Sequence, residues 1–109
     1  YKRQVLADAT NNIGKGSADL MIAFAGALVD TSTSATFGVA YVGQPYAVVF
    51  NHSYNQNCKS AQHEVGHTYG LQHCSSTCVM KQGWDTNWGL FEHLCSSHNT
   101  QWSNAKNTY

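Results

Sequence analysis

Eleven consecutive residues, "HEVGHTYGLQH" from His63 to His73, constrain this chain more than any other stretch. They carry three of its six histidines and one of only two glutamates. From the chain's own composition, three histidines, a glutamate and a glycine match such a pattern by chance with a probability on the order of 10⁻⁵. His63 and His67 are four apart, so on an α-helix they project about 40° apart on one side. Ala61, Val65 and Thr68 form a second, less polar stripe. On that reading core and ligand faces are separate. A continued helix would carry His73 about 9 Å past His67, so the chain must turn if the third imidazole is to join the first two. Gly70 supplies the turn, because glycine takes the left-handed backbone conformation at a helix C-terminus with little steric cost.

Three imidazoles converging in this way suit Zn²⁺, which binds histidine nitrogen at about 2.0–2.1 Å. Three protein ligands leave a fourth position open, as catalytic rather than structural zinc requires. Glu64, one residue beyond His63, can address a water at that position as a general base. The stretch therefore predicts His63, His67 and His73 as metal ligands and Glu64 as the catalytic carboxylate of a zinc-assisted peptide hydrolysis. Gly66 receives no role from the pattern.

The surrounding sequence gives this helix a small sheet to pack on. Residues 2–13 place Val5, Leu6, Ala9 and Ile13 at helical spacing, and "ADLMIAFAG" reads as a buried strand. "TFGVAYVG" and "YAVVFNHS" are two further β-rich segments, with Gly43-Gln44-Pro45 between them to turn a hairpin. The active-site helix is expected from about Asn57, with an asparagine as N-cap, and a late helix from about Asn99 to Lys106. The fold class is α+β. One domain spans residues 1–109, with an upper half of about 1–70 and an irregular lower half of about 71–109.

Six basic and six acidic residues balance, and no run of like charges suggests a nucleic-acid or anionic-membrane surface. The longest apolar stretch, Leu20 to Val29, is far short of the roughly 20 residues of a membrane span. Protein or peptide substrates are the expected partners of a monomer, without nucleic acid or membrane. Four cysteines, Cys58, Cys74, Cys78 and Cys95, in a small domain with few charges point to an oxidising compartment and hence secretion.

The pattern His63-Glu64-x-x-His67-x-x-Gly70-x-x-His73 resembles the zinc signature of the metzincin metallopeptidases. "CVM", ending at Met80, resembles the Cys-x-Met form of the reprolysin-like (adamalysin) members. The resemblance implies a methionine-containing turn, the Met-turn, with Met80 as a hydrophobic floor under the metal. "GVAYVG" resembles their Gly-x-Ala strand segment, which implies a substrate-binding edge strand at about 46–51. By the same resemblance Trp84, Trp88 and Leu90 become candidates for a pocket wall beyond the scissile bond. Position 82 is Gln where some metzincins have a tyrosine, so no such tyrosine role is assigned.

Cys74-x3-Cys78-x-Met80-x14-Cys95-x2-His98 also resembles the archaemetzincins, whose second, structural zinc is held by four cysteines. Here His98 would replace the last cysteine and Cys58 would be left over. The preferred reading has one catalytic zinc and two disulfides, Cys58-Cys95 and Cys74-Cys78. The functional expectation is a secreted zinc endopeptidase, and the alternative is a non-catalytic zinc-containing binding or toxin-like module on the same scaffold.

Overall fold

The computed structural model describes residues 2–26, 38–51, 54–74, 78–81 and 93–109. The element order is α1 (Lys2–Asn12), β1 (Met21–Ala25), β2 (Gly38–Ala40), β3 (Tyr46–Phe50), α2 (Tyr54–Thr68) and α3 (Ser96–Ala105). The α+β class stands: the described residues form three helices and one three-stranded mixed sheet of order β1-β3-β2. None of the described helices is long and apolar enough to cross a membrane.

β3 pairs with β1 in parallel, Met21 opposite Tyr46 through Ala25 opposite Phe50. It pairs with β2 antiparallel, Gly38 opposite Val49 and Ala40 opposite Ala47. The β2–β3 connection is the expected hairpin, with Gly43 at φ 77°. The substrate-binding edge expected at about 46–51 is therefore corrected. Tyr46–Phe50 is flanked on both sides, which explains why Ala47, Val48, Val49 and Phe50 are all buried rather than alternating in and out. Among the described residues β1 and β2 are the edges.

Strand alternation sends Val48 and Phe50 to one face, where Leu6 of α1 and Val39 complete a cluster of buried side chains. Ala47 and Val49 face α2. α1 uses Val5 and Leu6 as its pattern predicts, but Ile13 is exposed beyond the end of the helix. The lower half builds a second cluster from Leu71, Cys78, Val79 and Met80, backed by Tyr69 and Leu94.

α2 begins three residues before the expected Asn57, which lies inside the helix and donates from Nδ2 to Asn51 Oδ1 at 2.9 Å. Its two stripes also differ from expectation. Ser60, His63, Glu64, His67 and Thr68 are buried, whereas Ala61 and Val65 are only partly so. The polar ligand face is thus buried throughout, whereas of the apolar stripe Thr68 alone is. The late helix α3 starts at Ser96, three residues earlier than its pattern suggests, and its Trp102 ring meets Tyr69, the residue after α2, edge-on at 4.7 Å.

Candidate metal centre

The end of α2 shows how the local sequence brings the third histidine back. Gly70 has φ 92°, its N–H donates to the His67 carbonyl at 2.9 Å, and Leu71 N–H donates to the Gly66 carbonyl at 3.0 Å. These two bonds make a Schellman turn, which needs a left-handed residue at that point and caps carbonyls the helix leaves open. The fully buried Leu71 anchors the turn, and two residues later His73 faces the helix it has just left.

The three imidazoles meet at their Nε2 atoms. His67 Nε2 lies 3.1 Å from His63 Nε2 and 3.2 Å from His73 Nε2. Nitrogens bound tetrahedrally at 2.0–2.1 Å would sit about 3.3 Å apart, so the cluster has the dimensions of a zinc site before any ion is added. His63 Nδ1–H donates to the Val79 carbonyl at 2.8 Å, and His67 Nδ1–H donates to the Leu71 carbonyl at 2.7 Å. A carbonyl can only accept, so each bond fixes the tautomer that turns an Nε2 lone pair toward the centre. Burial pushes the His63 imidazole down to about 4 and also lowers His67 and His73. All three are neutral, ligand-ready rings at neutral pH. His73 is the exposed member, and it leaves the centre open to solvent on its side.

Two glycines explain how this helix is seated: Gly66, which receives no role from the sequence pattern, and Gly38, the first residue of the Gly-x-Ala segment. A Cβ at Gly66 would overlap the Met80 sulfur and lie 3.1 Å from its Cε. Met80 is fully buried there, in a turn closed by Lys81 N–H donating to the Cys78 carbonyl at 3.0 Å. Gly66 thus lets the methionine pack directly on the backbone of the ligand helix. On the sheet side, a Cβ at Gly38 would lie 2.8 Å from both Glu64 Cγ and the Val48 carbonyl oxygen. It would also lie 3.0 Å from Glu64 Oε1. Glu64 occupies the space a side chain on β2 would need. Gly38→Ala is expected to cost about 1–3 kcal/mol of stability through overpacking and to displace the Glu64 carboxylate. Urea unfolding checks the first effect, and unchanged stability would mean that β2 and α2 are less tightly apposed.

The expected disulfides Cys58-Cys95 and Cys74-Cys78 are not present in the structure. Cys58 is exposed on α2, while Cys74, Cys78 and Cys95 gather with His98 so that one ligand atom of each lies within 4.8 Å of the others. Cys74 Sγ is 3.7 Å from Cys95 Sγ, and His98 Nδ1 is 3.1 Å from Cys95 Sγ and 3.7 Å from Cys78 Sγ. Zn–S bonds of about 2.3 Å imply tetrahedral S···S edges near 3.8 Å. The backbone N–H groups of Met80 and Cys95 point at Cys78 Sγ, at 3.5 and 3.3 Å. Three thiols and an imidazole in this geometry are a second group able to hold a metal. Trp84, Trp88, Leu90 and Gln82 lie outside the described residues.

A helix that presents two of three clustered imidazoles, closed by a glycine turn, with a methionine packed beneath it and a sheet at its back, has the form of a metzincin-like zinc peptidase domain. The match to protein families narrows the class: the model of peptidase family M54, the archaemetzincins, covers residues 32–93, and the chain belongs to that family. Zinc is the expected cofactor, and proteins or peptides are the substrates such a family implies. Of the two resemblances drawn from the sequence, the match supports the archaemetzincin one. No curated protein and no solved structure matches the chain.

Proposed function

We propose that the chain is a zinc endopeptidase in which His63, His67 and His73 hold the catalytic ion and Glu64 is the general base. The convergence of three neutral Nε2 atoms beside a buried glutamate supports this reading most strongly. A zinc ion held there supplies Lewis acidity, polarising the scissile carbonyl and lowering the pKa of water toward about 7. Glu64 accepts a proton from the attacking water and delivers it to the departing amine nitrogen as the C–N bond breaks. Packing against Gly38 holds the carboxylate in one place during both transfers. Met80 is the apolar floor of the centre, and its seat on Gly66 keeps the helix from sinking toward the lower half.

In this reading the outer edge of β2, next to Glu64, takes over the substrate-pairing role expected of residues 46–51. Substrate main chain would bind there as an added strand. The thiol cluster with His98 holds a second, structural zinc, since four protein ligands leave no position for a reacting water. A binding or toxin-like module that keeps zinc for structure alone has no need of a carboxylate beside its ligands, so Glu64 favours the enzyme.

The decisive experiment combines metal analysis with cleavage of a quenched peptide library, with and without chelator. Two zinc ions per chain and chelator-sensitive endoproteolysis are expected. Zinc at the histidine site with no cleavage of any library member would favour the binding module.

A further inference from the structure

His73 differs from its two partners in how it is held. His63 and His67 are each oriented by an Nδ1–H bond to a backbone carbonyl, whereas among the described residues His73 has no such bond. Its placement rests on the backbone on either side of it. Both neighbours are tied to the lower half. Cys74 N–H donates to the Met80 carbonyl at 2.9 Å, and the Gln72 carbonyl accepts from His98 Nε2–H at 2.9 Å.

The second bond links the two ligand clusters directly. His98 is buried, with one ring nitrogen among the sulfurs and the other on the residue before His73. Because the Gln72 carbonyl can only accept, Nε2 carries the proton and Nδ1 presents its lone pair to the thiols. A cysteine at this position could complete the thiol cluster but could not span both.

We propose that His98 is a positioning residue for the catalytic zinc. Its Nε2–H bond to the Gln72 carbonyl fixes the backbone that carries His73, while Nδ1 faces the thiol site. The inference rests on the reading that both clusters hold zinc. Outer-shell bonds are worth about 10–100-fold in metal affinity, and among the described residues the His73 imidazole has no backbone-carbonyl bond of its own.

Two substitutions in the full chain separate the ligand from the bond. His98→Cys keeps four ligands at the thiol cluster and loses the bond to Gln72. His98→Gln places an amide N–H near the Nε2 position and removes the ligand. Zinc occupancy of each site is followed by chelator competition, with cobalt substitution distinguishing thiolate-bound from histidine-bound metal by its absorption. In His98→Cys the thiol cluster should stay filled while the histidine site loses affinity about 10–100-fold. In His98→Gln the thiol cluster should weaken while the histidine site keeps most of its affinity.

An unchanged histidine site in His98→Cys overturns the proposal and leaves the peptidase reading intact. Equal loss at the histidine site in both variants also overturns it, because the effect would then follow the thiol-bound metal rather than the bond. If His98→Cys does not fold, the outcome for His98→Gln decides alone. Failure of the wild-type chain to bind zinc at its histidines would remove the underlying reading as well.

Discussion

Glu64→Gln is expected to lower peptide cleavage by about 10²–10⁴-fold, the usual worth of a general base, while leaving zinc bound. Glutamine has nearly the same shape, so the packing against Gly38 and the burial on α2 should survive. What the amide lacks is a basic oxygen to take the proton from water. The three imidazoles are untouched, since His63 and His67 are oriented by the Val79 and Leu71 carbonyls rather than by Glu64. The variant should therefore match the wild type in zinc content and thermal midpoint and differ in kcat. Turnover within about tenfold of the wild type would mean that another group accepts the proton. Loss of zinc together with activity would place Glu64 in the metal site's architecture rather than in its chemistry. Glu64→Ala serves as a contrast, because it also opens space beneath β2.

Much of this centre is legible in the sequence because its determinants are local. The four-residue spacing of His63 and His67 and the glycine three residues beyond follow from helix geometry and left-handed termination, and the structure places them as those rules require. Gly66 is silent in the pattern, and the Gly-x-Ala likeness marks Gly38 without showing what it contacts. Each is needed because a side chain from a distant segment, Glu64 for one and Met80 for the other, lies against the backbone. Strand order is non-local for the same reason. An apolar run such as "YAVVF" fits either an edge or a centre until its two neighbours are known.

The cysteines show a different limit. Spacing alone permits both disulfides and a four-ligand metal site, whereas the return of α3 brings Cys95 and His98 to Cys74 and Cys78 and leaves Cys58 outside the group.

Acid should destabilise the metal-free protein before it affects most small domains. The His63 imidazole is held down to about 4, first by burial and further by the neighbouring His67 and His73, against an ordinary value of 6.5. In the unfolded chain the same ring is solvated and takes up a proton near its ordinary value. Between these two values the unfolded state binds more protons than the folded one, so stability falls as pH falls. The loss attributable to His63 is about 2 kcal/mol at pH 5 and on the order of 3 kcal/mol by pH 4, where it levels off. His67 and His73 are shifted in the same direction and add to the slope. A domain of this size has about 5–15 kcal/mol in total, so the effect is large enough to unfold the chelated protein in mild acid. Bound zinc opposes it by mass action, stabilising the folded state in proportion to RT ln(1 + [Zn]/Kd). Urea titrations at pH 7.5, 6 and 5, with and without chelator, should show a steep loss for the metal-free chain and a shallower one for the zinc-loaded chain. His63→Phe, which removes the titrating ring but fills its space, should flatten the metal-free profile. A metal-free profile without slope between pH 6.5 and 4 would mean that the imidazoles are solvated in the absence of zinc, and that the metal rather than the fold brings them together.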